Sequence, residues 1–387
     1  KYLRKSNENN KNRDCLDMNG SNPVLAVIGA GEGAMPILKK AKEINVRTIA
    51  FGHRDSLAKD WASIFIEADI FDYSLLISEC KKECVDGVIA SSEITTEVAA
   101  IVADALGLPG NDIKGGFAAR SKYVMRERVS NLNTIRQPKY SLYKEGDLYE
   151  FPVVVKALDS CGKKGISIAY NNEDLAMAVA KSKQHSSNNL VLIEEYLKGG
   201  QEYSIECLAG NGYYDIIQYT EKESSGPPTF TEIAHHQPAI LPNDIKNRID
   251  IAVKDILKVL GINCGMAHLE LKIKDNELYF IEVGARGGGD HIADTLTINS
   301  TDCDYFKEAI NCCLGRYNHK EVHNIAYTGI YFHCKQNKGL KPIFEEAKTA
   351  NWCICNTITN DDFNEANSNV ETSDSGYIIY CADKKIK

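Results

Sequence analysis

Apolar and polar positions change rhythm several times along the chain, and each change marks a predicted element. Val24–Gly29 (VLAVIG) is an unbroken apolar run, which predicts a buried strand, and a helical pattern follows through Ile44. A second strand is predicted at Val46–Phe51, a helix at Tyr73–Cys84, a strand at Asp86–Ala90 and a helix at Glu97–Leu106 closed by Gly107. Strand and helix alternating over about 90 residues predict an open parallel α/β sheet. The rhythm then shortens. Strands are predicted at Pro152–Ala157, Ile166–Ala169 and Leu190–Ile193 around a helix near Glu173–Ser182, followed by longer strands at Gln201–Ala209 and Tyr213–Thr220. Asn243–Leu260 carries apolar residues at helical spacing and is stopped by Gly261. Beyond a helix at Asp302–Leu314, strands are predicted near Tyr327–Cys334 and Gly376–Cys381. No repeat at periods of about 20–50 residues is evident.

The chemistry concentrates in residues 264–291, CGMAHLELKIKDNELYFIEVGARGGGDH. Two alternating segments, Met266–Ile273 and Leu278–Val283, flank a polar turn and predict a β-hairpin. Each carries one acid, Glu270 and Glu282. A three-residue loop at Asp275–Glu277 sets these acids face to face; a two-residue loop sends them to opposite faces, because side chains alternate with period two. Facing carboxylates repel and call for a cation between them, and with phosphate oxygens they would make a Mg²⁺ site. The plain alternative is a solvated hairpin with two unrelated acids.

Composition narrows the picture. Of 387 residues, 43% are hydrophobic and 25% charged, as in an ordinary globular protein with two or three domains. The net charge of −8 argues against a nucleic-acid partner, and no apolar run approaches the ~20 residues that span a bilayer. The first 19 residues, polar and Asn/Lys-rich, lack the apolar core of a signal peptide and read as a disordered tail. The 13 cysteines fall without a CxxC pair, which suits thiols in a reducing cytoplasm better than a zinc site.

Other stations are weaker in isolation. Gly29-Ala30-Gly31-Glu32-Gly33 after a strand suggests a dinucleotide turn, but the final glycine of GxGxxG is replaced by Ala34 and no clear ribose-binding acid ends the second strand. Residues 115–130 read as one basic amphipathic helix carrying Lys122. Asp159–Gly165 offers backbone N–H groups for phosphates or serves as a plain loop. Glu194-Glu195-Tyr196-Leu197 before Gly199-Gly200 looks like a hinge beside a flat apolar slot.

In this order the stations resemble the ATP-grasp superfamily of carboxylate–amine ligases, over most of residues 24–320. Within it, Gly265–Glu270 (GxxHxE) and Ile281–Gly289 (IEVGARGGG) are similar to the enzymes that join amino acids into dipeptides. The resemblance implies that Lys122 and Lys156 grip ATP phosphates and that a flap at 160–165, with Ser160, Gly162 and Gly165, closes over them. It implies that Glu194, Glu195, Tyr196 and Leu197 line the adenine, that Glu202 holds the ribose hydroxyls, and that His268 lies near the phosphates. Glu270 and Glu282 would be the ligands of two Mg²⁺ ions, with Mn²⁺ as a substitute. Arg286 would hold the substrate carboxylate and acyl phosphate, with Gly287, Gly288 and His236 in the substrate pocket. One position departs: Gly284 stands where many relatives have an Asn metal ligand.

The implied fold class is α/β and α+β: a tail at 1–21, an N-terminal parallel α/β domain at 22–120, a small ATP-grasp lobe at 121–197, a large lobe with the metal site at 198–320, and a C-terminal extension at 321–387. The implied activity activates a carboxylate as an acyl phosphate and joins it to an amine, releasing ADP and phosphate. Small-molecule partners, a cytoplasmic location and a homodimer are the accompanying expectations, with no nucleic acid and no membrane. Carboxylation, a purine-biosynthetic ligation, an NAD-dependent oxidoreductase and a nucleotide sensor without turnover are the alternatives.

Overall fold

A computed structural model describes residues 22–158, 165–360, 362–363 and 376–387. The expected tail 1–21 and the flap residues Ser160 and Gly162 lie outside the described residues. The N-terminal sheet is wholly parallel, in the order Ile64–Glu67, Arg47–Gly52, Val24–Ile28, Gly87–Ala90. Its central strand is buried on both faces, which explains why Val24–Ile28 reads as a continuous apolar run. The edge strand Ile64–Glu67, half buried, was not anticipated from its short pattern. The glycine turn behind Val24–Ile28 has a packing reason: a Cβ on Gly33 would stand 2.3 Å from the carbonyl oxygen of Ser91. No ligand is needed to account for it.

Four strands form a small antiparallel sheet, in the order Tyr140–Leu142, Val191–Glu195, Val153–Ala157, Ser167–Ala169. Helix Asn172–Gln184 covers it through Leu175, Ala178 and Val179, packed on Val153, Val155 and Ile193.

The remainder is one eight-stranded antiparallel sheet. Its order is Glu277–Gly284, Gly265–Lys274, Gln201–Gly210, Tyr213–Ser224, Glu232–Gln237, Tyr327–Phe332, Tyr377–Ala382, Cys353–Asn356. The last three strands named come from residues 321–387, so that stretch continues the sheet which carries the hairpin. Helix Asn243–Leu260 buries Ile249, Val253, Ile256 and Leu260 against Ile205, Cys207, Leu269 and Leu271. Period-two alternation therefore sends Glu202, Ser204 and Glu206 to the other face, away from that helix. Helix Tyr305–Cys313 joins the N-terminal sheet to the eight-stranded sheet, sharing a core with Leu25, Val27 and Leu208. Among the described residues no helix is long and apolar enough to cross a membrane.

Candidate active site

The hairpin is tighter than the facing arrangement seemed to require. Lys274 pairs with Glu277, so the loop is the two residues Asp275-Asn276, both left-handed at φ 51° and 62°. That is the geometry of a primed two-residue turn. By simple alternation it would have put the acids on opposite faces. A β-bulge restores them: Leu271 pairs with Phe280, Glu270 pairs with Glu282, and Ile281 is the extra residue. The expected loop was wrong by one residue and the bulge corrects the register by one. The acids face each other.

Cations already stand at both. Lys222 donates to Glu270 at 2.5 Å, and Lys122 lies 3.0 Å from Glu282. Burial works against charge on Glu270, yet Lys222 and His268 hold its carboxyl well below the usual range. Two carboxylates with hard oxygen donors on one face fit Mg²⁺ or Mn²⁺, and their lysines mark where positive charge belongs.

Lys156 is 2.6 Å from Glu194, whose other oxygen accepts from Arg126 Nε at 2.6 Å. Arg126 also donates to the carbonyls of Phe280 and Ile281 at 3.0 and 2.8 Å, tying the small antiparallel sheet to the bulge. Glu194 is thus not free to read a base edge, as the hinge reading implied: both of its oxygens hold cations. Glu195, Tyr196 and Leu197 line the cleft. Burial alone would raise the Glu194 carboxyl, but Arg126 and Lys156 bring it down to about 2. With an unfolded value near 4.5, its contribution to stability is fully present above that pH and is lost as pH falls toward 2. Glu194→Gln is therefore expected to cost roughly 3–5 kcal/mol at pH 7, since it leaves buried cations uncompensated, and much less at pH 3. Denaturant unfolding at the two pH values checks this.

His268 bonds Glu206 through Nδ1 and lies 3.4 Å from Glu270 through Nε2. Burial opposes its charge, but Glu206 and Glu270 raise it to about 9. Glu206, wholly buried, also accepts from the Gly288 N–H at 3.0 Å and the Tyr305 hydroxyl at 2.9 Å. A side chain on Gly288 would meet Glu206 at 2.6 Å and His268 at 2.7 Å, so this glycine serves the close approach. Gly287 is packed against Ala293 and Met266, and neither glycine lines the cleft.

Arg286 bonds the carbonyl of Gly287 at 2.8 Å and Glu93 at 3.1 Å. Its side chain lies over Gly284, where a Cβ would be 3.4 Å from Arg286 Cγ. Burial and the charge of Glu282 push the Glu93 carboxyl up, against the pull of Arg286. Glu202 pairs with Lys272 at 3.3 Å on the cleft wall. The carbonyl of Gly165, at φ 75°, accepts a 2.5 Å bond from the Ser182 hydroxyl, and Gly165 does not line the cleft.

His236 is not in the cleft. Its strand pairs His236 with Glu221 and His235 with Lys222, so the two histidines face opposite ways. His236 sits 2.9 Å from the Tyr380 hydroxyl and 3.3 Å from Glu223, beneath Tyr331. His235 is the one beside Lys222.

One cleft of about 790 Å³ lies between the small antiparallel sheet and the eight-stranded sheet, lined by Lys122, Lys156, Lys222, His268, Glu270, Glu282 and Arg286 among others. Four contributors escaped the sequence reading: Glu93, Arg126, Glu206 and Lys222. Two had a signal. Arg126 stands four residues after Lys122 on a helical pattern, and Glu206 shares the alternation of Glu202.

Residues 149–294 match a family model described as the ATP-grasp domain. Dapdiamide A synthase of Enterobacter agglomerans is 28% identical over 239 residues, 56% of this chain and 54% of that protein, so the chain spans about half the length of this curated relative. An L-amino acid ligase from Bacillus licheniformis superposes with a TM-score of 0.77 at 22% identity, covering 94% of each chain. An N5-carboxyaminoimidazole synthetase from Staphylococcus aureus complexed with ADP superposes at 0.74 with 16% identity, covering 95% of this chain and 96% of that one. These likenesses establish the fold.

Proposed function

Starting from an ATP-grasp domain at residues 149–294, we propose that this chain is an ATP-dependent carbon–nitrogen ligase that activates a carboxylate, of an amino acid, as an acyl phosphate and joins it to an amine. The observation that carries the reading is the pair Glu270 and Glu282, set opposite each other by the bulge, with four lysines and Arg286 lining the same cleft.

In this reading Lys122 and Lys156 bind the triphosphate, and the strand end at Glu195–Leu197 shapes the slot for the base. Glu270 and Glu282 would hold Mg²⁺, which supplies charge neutralisation to the phosphate oxygens. The substrate carboxylate, oriented by Arg286, attacks the γ-phosphorus and releases ADP; the amine then displaces phosphate from the acyl carbon. Arg286, with a planar fork of donors, suits both the carboxylate and the acyl phosphate that replaces it. Glu93 keeps the guanidinium aimed. His268, held charged by Glu206, adds a positive group beside Glu270. Walls on both sides of the cleft limit water, which would hydrolyse an acyl phosphate unproductively.

The test is phosphate release across amino-acid pairs. The account expects release that needs both a carboxylate and an amine, with one amide formed per phosphate. Release that needs bicarbonate or a purine precursor instead would assign carboxylation or purine-biosynthetic ligation.

A further inference from the structure

One strand of the eight-stranded sheet leaves half of its outer edge open. Strand Tyr213–Ser224 pairs with Gln201–Gly210 from Tyr213 to Lys222, but with Glu232–Gln237 only from Glu221 to Ser224. On that second side the next backbone bond runs from the Ala239 N–H to the Tyr219 carbonyl, at 2.8 Å. Among the described residues, Tyr214–Gln218 therefore pair with a strand on one side only. They form the floor of a groove of about 190 Å³ that shares no lining residue with the ligand cleft.

Two walls flank this floor. On one side Lys246, Asp250 and Lys254 line the groove, a single stripe of helix Asn243–Leu260 at four-residue spacing. On the other stand Ile217 and Val322, part of the core shared with Leu208. Lys246 and Lys254 are exposed, and the Lys246 ammonium rests 4.8 Å from the Tyr219 ring. The acids of the groove have donors of their own. Asp250 accepts from the Tyr219 hydroxyl, and Asp215 accepts from Tyr317 and His319 at 2.7 Å and from the Lys320 N–H at 3.0 Å. Two ammoniums against one carboxylate leave the helix wall positive. Lys246 and Lys254 stand about 12 Å apart along the helix, and four steps of an extended chain cover about 13 Å.

We propose that this edge takes an extended acidic segment of another polypeptide as an added strand. Acids four residues apart face Lys246 and Lys254, a neutral residue between them lies opposite Asp250, and apolar residues at the alternate positions meet Ile217 and Val322. Main-chain bonds to the open edge supply the attachment, and the two walls supply the selection. Lysines and a bulge at Ile217 also keep other sheets from pairing here. The same lysines admit a strand that brings carboxylates. A second copy of this edge carries the same lysines, so self-pairing would set like charges together. The proposal stands apart from the ligase reading and does not depend on it.

The experiment is fluorescence anisotropy of labelled peptides on the full chain at low ionic strength. The peptide TEVTVET is compared with TKVTVKT and is expected to bind at least tenfold more tightly. Lys246→Gln combined with Lys254→Gln, at two exposed positions that burden folding little, should reduce the preference below threefold. Two further versions of TEVTVET carry N-methyl groups on alternate residues, one on the valines and one on the acids and the central threonine. An added strand donates to the edge through one of these sets only. One version should therefore bind at least tenfold more weakly and the other within threefold of the unmodified peptide. Absent binding, equal binding of the acidic and basic peptides, a preference that survives the double substitution, or equal effects of the two N-methylated sets would overturn the proposal. Displacement of TEVTVET by citrate at the same carboxylate concentration would also overturn it, and would mark a site for small anions.

Discussion

Glu282→Ala abolishes ATP turnover, lowering carboxylate-dependent ADP release by about 10³-fold or more, a barrier increase of ~4 kcal/mol. Glu282 is on the edge strand of the large sheet and partly exposed, so its removal deletes little packing. What it removes is electrostatic. It faces Glu270 across the bulge, and alanine leaves one acid where two would hold the metal. Phosphoryl transfer depends on positioning and charge neutralisation, so a half-built site fails at the chemical step. Lys122 loses its 3.0 Å partner but stays within the field of Glu93 and Glu194, which limits the cost to the fold. Circular dichroism should be unchanged. Retained carboxylate-dependent ADP release in a folded variant contradicts the assignment of the metal acids.

Arg286→Ala gives the second large effect, with a different signature. Turnover falls by roughly 10²–10⁴-fold, the scale of removing a preorganised charged donor from developing negative charge. Affinity for ADP changes by no more than about threefold, because Lys122 and Lys156 remain. Arg286→Lys recovers only part of the rate: an ammonium keeps the charge and loses the fork. Nucleotide titration beside steady-state kinetics separates the two quantities. A large loss of nucleotide affinity at unchanged turnover would move Arg286 from the acyl group to the triphosphate.

What could be read from residues alone follows from where side chains face. The parallel sheet was legible because Val24–Ile28, buried on both faces, is apolar throughout, and helix Asn243–Leu260 because its apolar stripe and terminal Gly261 agree. The pairing of Glu270 with Glu282 was anticipated for the wrong reason. A three-residue loop and a two-residue loop with a bulge give the same facing, and Ile281 looks like any other strand residue. His236 was placed in the substrate pocket by the resemblance, and which of two adjacent histidines faces the cleft cannot be read until the register is known; strand Glu232–Gln237 itself contains a shift next to Glu232. The basic helix at 115–130 divides into Ile113–Ala118 and Lys122–Val129; Lys122 of the second lines the cleft and Arg126 reaches Glu194. Glu93 and Lys222 joined the site through contacts across long stretches of chain, to Arg286 and Glu270, which no local pattern encodes.

The order of bond making is the centre of the account, and an oxygen label reads it directly. An amino acid carrying ¹⁸O in its carboxylate is incubated with the enzyme, ATP, Mg²⁺ and an accepting amine, and the phosphorus products are resolved by ³¹P NMR. Attack of the carboxylate on the γ-phosphorus carries one labelled oxygen into inorganic phosphate for each amide formed. Label in AMP, or phosphate free of label beside a formed amide, contradicts it.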